Sequence, residues 1–272
     1  MGKRAMLALI GIGMVSLMGC NGESMLEPEQ ATADGREVVV VDGASPVVLD
    51  VRNGVGTITL RGAESEDAHE IAVAYTLTAY AATKAQAERE VAAMTVTVTQ
   101  EDGRVQVNAV QTQFRDHPRT NKVDLTISVP PSIDLVLRNA VGDVDVRGVQ
   151  APRRLDIAAD VGDIVLNDVV AAPLTRVAGE VGNVTFEGAL AATGSASLTT
   201  DVGKVIVRLP QDTAAAVEAQ TAVGGITLRG LAASQRRLSE KVPGATLTAT
   251  LGDGGPALKL AANVGDITLD KR

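Results

Sequence analysis

Aromatic side chains are nearly absent. Tyr75, Tyr80, Phe114 and Phe186 are the full set in 272 residues, with no tryptophan. A large mixed core normally fills volume with rings, so this chain must build a narrow interior from Val, Ile, Leu and Ala. The same scarcity removes stacking platforms for bases and sugars. Histidine is limited to His69 and His117, and His117 sits between Asp116 and Pro118 in a loop-like context. The single cysteine, Cys20, excludes an intrachain disulfide. Positive charge is also short: 25 Lys and Arg face 33 Asp and Glu, a net charge of −8. Without Lys3 and Arg4 the balance is 23 against 33, or −10. That balance argues against nucleic acid or anionic headgroups as partners through bulk charge. A Gly-x-Ser-x-Gly elbow, a His-Glu-x-x-His pair and a phosphate-binding glycine loop are all missing.

What the chain has is a repeat. Val-Gly occurs at Val55-Gly56, Val141-Gly142, Val161-Gly162, Val181-Gly182, Val202-Gly203, Val223-Gly224 and Val264-Gly265. Successive spacings from Val141 are 20, 20, 21, 21 and 41, the last being two periods. A fixed period of this size predicts a stacked solenoid. Three and five residues after each valine come apolar pairs such as Ile58/Leu60, Ile164/Leu166 and Val184/Phe186. Six and four residues before it come pairs such as Leu49/Val51, Leu135/Leu137 and Leu155/Ile157. Both read as half-buried strands. Each rung therefore carries two strands joined at a Val-Gly corner, where glycine accepts positive φ at little cost.

The fold class predicted is mainly all-β: a single-stranded parallel β-helix or solenoid of about 20–21 residues per rung, with a small α+β insert near its N-terminal end. About eight rungs stack to ~38 Å at ~4.8 Å each, and right-handed crossovers are the expectation. Thr246 to Leu251 reads as the strand of a degenerate rung, with Val242-Pro243-Gly244 in place of the usual corner. Residues 64–132 are the insert. There Thr83 opens a predicted helix, Thr83 and Gln86 fit a capping box, and Ala87, Val91 and Met94 share one face. This segment is expected to cap or flank the N-terminal end, where an open stack exposes core and edge.

The N-terminus reads as an export signal over residues 1–19. Lys3 and Arg4 precede a 15-residue uncharged stretch from Ala5 to Gly19, too short for a transmembrane helix of ~20 residues. Leu17-Met18-Gly19-Cys20 resembles the bacterial lipobox. The resemblance implies that the Cys20 thiol carries a diacylglyceryl group, that the leader is removed before it, and that the new amino terminus is acylated, with palmitate as the expected chain. Such a protein is anchored to a membrane rather than spanning it. Asn21 after the cysteine favours the outer membrane by resemblance to enterobacterial sorting, if the source is Gram-negative. Residues 20–36 are read as the lipidated cysteine and a flexible tether, whose sixteen residues after Cys20 reach ~22 Å.

The leading Val-Gly rung, the αβ segment and "Val-Asp-Leu-Thr-Ile-Ser-Val-Pro" at 123–130, feeding Leu135 to Asp143, resemble the bacterial putative-adhesin family. It is also called the toastrack domain and is related to GIN-type adhesin-head domains. The resemblance covers residues 37–272 and implies a β-solenoid of the cell envelope. It brings no catalytic motif, so no catalytic, cofactor-binding or metal residue is assigned, and no cofactor is expected. Cys20 is the one assigned site residue, for lipidation.

Two surface columns are candidates for chemistry. Asp143, Asp160, Asp163, Glu180 and Asp201 gather near one corner, which raises a calcium ladder. Lys204 and Gly225 interrupt it, and the glycine-rich nonapeptide of calcium β-rolls is absent. Arg61, Arg147, Arg208 and Arg229 recur six residues after the valine, with Asn167, Glu187 and Asp270 elsewhere in that column. A mixed-sign column reads as a solvated edge. The expected function is a non-catalytic, adhesin-like binding or structural role in the envelope, with a protein or surface ligand. The alternatives are a periplasmic envelope-stress sensing module acting through a protein partner and, remotely, a glycan-active β-helix enzyme.

Overall fold

The computed structural model describes residues 28–41, 47–64, 69–112 and 120–272. Strands β1 (Glu29–Val40), β2 (Val48–Val55), β3 (Ile58–Gly62) and β4 (Glu70–Ala81) precede helix α1 (Lys84–Ala93). Strands β5 (Thr95–Glu101), β6 (Arg104–Val110) and β7 (Lys122–Val129) follow. Next come corner-linked pairs: β8 (Asp134–Val141) with β9 (Val144–Arg147), and β10 (Arg154–Val161) with β11 (Ile164–Val170). They continue as β12 (Leu174–Val181) with β13 (Val184–Ala189), β14 (Ser195–Val202) with β15 (Val205–Leu209), and β16 (Ala215–Val223) with β17 (Ile226–Leu228). Hairpin strands β18 (Ala233–Lys241) and β19 (Gly244–Leu251) separate these from the last pair, β20 (Ala257–Val264) and β21 (Ile267–Lys271).

The predicted solenoid is present. Strands before each corner form one parallel stack, β6-β2-β8-β10-β12-β14-β20-β16, and strands after it form another, β7-β3-β9-β11-β13-β15-β21-β17. The repeat's apolar pairs face inward between the two stacks: Leu155, Ile157, Ile164, Leu166 and Val184 are fully buried. Phe186, at 1% exposure, is the largest core side chain and the sole buried phenylalanine among the described residues.

Chain order and spatial order differ at both ends, which corrects the degenerate-rung reading. The 41-residue gap does not hold a skipped rung. Strands β18 and β19 form an antiparallel hairpin, and β19 pairs antiparallel with β16. The β20–β21 rung then inserts between β14–β15 and β16–β17. The N-terminal end mirrors this: β6 and β7 make a rung outside β2 and β3. Antiparallel partners β5, β4 and β1 lie beyond it. Parallel stacking alone would leave an exposed edge at each end; the antiparallel additions cover both stacks at the N-terminal end and the pre-corner stack at the C-terminal end, where β17 remains the edge of its sheet. Helix α1 packs on β1 and β4 with Ala87, Val91 and Met94 buried, as the periodicity predicts. The capping box does not form: Thr83 is the N-cap without a side-chain hydrogen bond, and its carbonyl accepts from Gln86 and Ala87. The tether reading also changes, because β1 begins at Glu29 and residues 29–36 lie in a strand. Gly35 permits this, since the Tyr75 ring lies where its β-carbon would be.

The corner glycines have one mechanical role. Gly162 has φ +140°, and a β-carbon on it would sit 2.3 Å from the Gly142 carbonyl oxygen. The missing side chain lets hydrogen bonding run through the turn: Gly142 N–H donates to the Val161 carbonyl at 2.8 Å and Gly162 N–H to Val181 at 2.9 Å. Among the described residues no helix is long and apolar enough to cross a membrane.

Candidate functional site

Two members of the acidic corner column, Asp143 and Asp163, are used by the backbone, while Asp201 accepts from the Asn263 side chain at 2.8 Å. Asp143 Oδ1 accepts the Asp163 N–H at 2.8 Å, and Asp163 Oδ1 accepts the Asn183 N–H at 2.7 Å. Asn183 Oδ1 accepts from Lys204 at 3.0 Å, and Asp266 Oδ1 accepts from Gly225 at 3.0 Å. Asp124 does the same for Thr57 at 2.9 Å. Each Asp or Asn oxygen thus caps an N–H of the next rung that the tight corner leaves unpaired. Burial pulls the Asp124 carboxyl up, but the Lys122 ammonium and the Thr57 donors outweigh it and hold it below the usual carboxylate range. Behind the corner, the carbonyls of Gly56 and Gly142 accept from Asn139, that of Gly182 from Thr200, and that of Gly265 from Thr221. Two members of the arginine column form ion pairs: Arg147 closes on Asp145 at 2.7 Å, and Arg208 meets Glu187 at 3.7 Å, joined there by Arg272 from outside the column at 3.3 Å.

A second cluster covers the outer face of the pre-corner stack at its N-terminal end. Asp50, Asp134 and Asp156 are buried there although they point out of the core, because arginines lie over them. Asp50 receives Arg104 at 2.9 Å and Arg52 at 3.4 Å. Asp156 receives Arg138 at 2.9 Å and also Arg154. Asp134 receives Arg153 at 2.8 Å and the backbone N–H groups of Arg153 and Arg154 at 2.9 Å. Burial raises the Asp156 carboxyl, but hydrogen bonds from Arg138 and Arg154 hold it below the usual carboxylate range. Five arginines share three carboxylates, so this face carries excess positive charge on a chain of net charge −8.

Next to these arginines is a shallow depression of about 290 Å³, bordered by Arg52, Arg138, Asn108 and Asp160 and floored in part by Gly54, Ala140 and Ala158. Arg52 and Arg138 are register partners on neighbouring strands. Arg52 is also the register partner of Asn108. The depression exists because β6 stacks outside β2, which the sequence alone does not disclose. The motifs that could have pointed to it are Asp50-Val51-Arg52 and Arg154-Leu155-Asp156, opposite charges two apart on one strand face.

Cys20 and His117 lie outside the described residues. His69 is exposed in the loop before β4, its carbonyl accepting the Val41 N–H at 2.7 Å. Among the described residues, no group of three or more His, Cys, Asp or Glu is placed to hold a metal ion.

The family model described as Toastrack DUF4097 matches residues 47–270. A putative cell adhesion protein from Clostridium sporogenes is similar at 13% identity and a TM-score of 0.49, over 90% of this chain and 100% of that one. A putative adhesin from Bacteroides fragilis is similar at 10% identity and a TM-score of 0.33, over 91% and 99%. One from Parabacteroides merdae is similar at 10% identity and 0.28, over 88% and 96%. No curated protein matches the chain.

Proposed function

Because the chain belongs to the Toastrack DUF4097 family, we propose that it is a lipid-anchored protein of the cell envelope whose solenoid is a non-catalytic, adhesin-like binding module. The observation that carries this reading is the arginine face. Buried Asp50, Asp134 and Asp156 hold the guanidinium groups of Arg104, Arg138 and Arg153 on the sheet, so the ordering of these side chains precedes any ligand. Catalysis fits the same residues poorly. Acid–base work needs carboxylates free to exchange protons, and these are tied to arginines, while Asp143 and Asp163 of the corner column cap backbone N–H groups.

In this reading the anchor is the lipid on Cys20, with the outer membrane as its site in a Gram-negative cell. The partner is a surface or protein ligand, not a nucleic acid. The stretch between Cys20 and β1 is short: eight residues, 21–28, separate them. They span at most ~28 Å when extended, so the solenoid stays close to its anchor. The test is exposure of the domain on intact cells to a membrane-impermeant protease, beside a Cys20→Ala control. Cleavage in intact cells that is lost with Cys20→Ala supports surface display. Protection until the outer membrane is permeabilised points to a periplasmic module acting through a protein partner.

A further inference from the structure

The depression at Arg52 and Arg138 has an asymmetric chemistry that narrows its ligand. Arg52 is 69% exposed, and its one ionic contact is from Nε to Asp50 at 3.4 Å, which leaves its terminal nitrogens uncommitted among the described residues. Arg138 is held differently. Its Nη1 donates to the Leu137 and Asp156 carbonyls at 2.8 and 3.0 Å, and its Nη2 pairs with Asp156 at 2.9 Å. A guanidinium has five N–H donors, so Arg138 is fixed in place with donors to spare. The two side chains leave adjacent strands in register, about 4.8 Å apart. Two like charges at that spacing, one pinned and one free, suit a planar anion that can accept from both.

The opposite rim selects against a simple anion. Asp160 is exposed there and repels a second negative group, while its carboxylate accepts hydroxyl donors. Asn108, beside Arg52, offers an amide that both donates and accepts. The floor is small and flat: Gly54, Ala140 and Ala158 leave room that larger side chains would fill. Gly54 leaves room for the Gln111 side chain, whose oxygen lies 2.5 Å from where a β-carbon would be. The volume, about 290 Å³, is at the lower limit of small-molecule sites, ~300–1,000 Å³, and holds one ring-sized group. The site is open along the sheet, so a polymer could continue past it.

We propose that this depression is a subsite for one carboxylated sugar unit of an acidic glycan, with Arg52 and Arg138 taking the carboxylate and Asp160 and Asn108 taking ring hydroxyls. This rests on the binding-module reading and names its ligand class. With no aromatic platform at the site, the affinity expected for a single unit is about millimolar.

The test is titration of the full chain, isotope-labelled in detergent, with sodium glucuronate, with glucose and with sodium sulfate as comparators, read by amide shifts. The expected result is saturable shifts around Arg52, Ala140 and Ala158 with glucuronate and none with glucose. Arg52→Gln should weaken binding about tenfold, the loss expected for charge-assisted hydrogen bonds to one guanidinium. Arg176→Gln, on the same sheet face but outside the depression, should leave binding unchanged, and both variants should melt like the parent. Three results overturn the proposal: no saturable shift at millimolar glucuronate, equal shifts with glucose, or sulfate binding as well as glucuronate. If any of these occurs while intact cells still display the domain, the subsite is wrong and the binding-module reading stands. If the domain is also protected in intact cells, that reading fails as well.

Discussion

Replacing Gly162 with alanine tests the corner ladder on which every rung depends. The new β-carbon would lie 2.3 Å from the Gly142 carbonyl oxygen and 2.5 Å from its carbon. Neither atom belongs to a side chain that can swing away. The residue would also keep φ +140°, a region nearly closed to residues with a β-carbon, at about 1–3 kcal/mol. Relieving the clash means parting the rungs. That weakens the Gly142-to-Val161 and Gly162-to-Val181 hydrogen bonds, now 2.8 and 2.9 Å, each contributing about 0.5–1.5 kcal/mol. The expected destabilisation is about 2–6 kcal/mol, or a fall in melting temperature of roughly 4–24 °C for a domain of this size. Gly103→Ala is the matched control. Gly103 also has positive φ, +74°, but nothing lies within 4 Å of its added β-carbon, so only the conformational cost of about 1–2 kcal/mol applies. Thermal melts by circular dichroism compare the two. If Gly162→Ala melts no lower than Gly103→Ala, close stacking of corner carbonyls is not what the glycines serve.

Asp163→Ala removes the acceptor for the Asn183 N–H and should cost about 0.5–1.5 kcal/mol in urea unfolding. Asp163→Asn should cost little, because Asn183 already caps Lys204 in the same way. Calcium should leave the melting temperature of the parent unchanged. Asp156 tests the arginine face through pH. Its carboxyl is held below the usual range by Arg138 and Arg154. Its contribution is therefore complete above the unfolded value of ~3.9 and is lost as pH falls through the lower folded value. Asp156→Asn should be less stable at neutral pH and show a shallower loss on acidification, read from urea midpoints across pH.

The parts of the fold that periodicity encodes were legible. Leu155/Ile157 and Ile164/Leu166 alternate because each strand has one buried face, and both pairs are fully buried. Rung order was not legible. Thr246 to Leu251 alternates in the same way whether its neighbour runs parallel or antiparallel, so a period of two cannot separate a rung from a hairpin. Strand β1 was hidden for another reason: Ala31 to Arg36 is polar and contains Gly35, and it becomes a strand because β4 supplies a partner and Tyr75 covers the glycine. The acidic corner was visible as a column, but the reason for it, N–H groups left open by the turn, lies in the backbone. The arginine face was missed in part because Arg104 reaches Asp50 from β6, which stacks outside β2 against chain order, whereas Arg138 and Asp156 lie on consecutive rungs that the repeat already places side by side.

The most direct measurement is a cysteine crosslink that reads rung order where the candidate site is built. With Cys20 replaced by serine, cysteines are placed at Asn108 and Arg52 in one variant and at Asn108 and Arg138 in another. The structure makes Asn108 the register partner of Arg52, with Arg138 one strand further on. Neighbouring strands bring Cα atoms within the 4.4–6.8 Å that a disulfide requires, and a strand between them does not. The account predicts rapid oxidation of the 52/108 pair in the folded protein, seen as a gel-mobility shift reversed by reductant, and none of the 108/138 pair. Crosslinking of 108 to 138 as well as to 52 would mean that β6 lies between β2 and β8, the rungs stacking in chain order, and the arginine face with its depression would not exist as described.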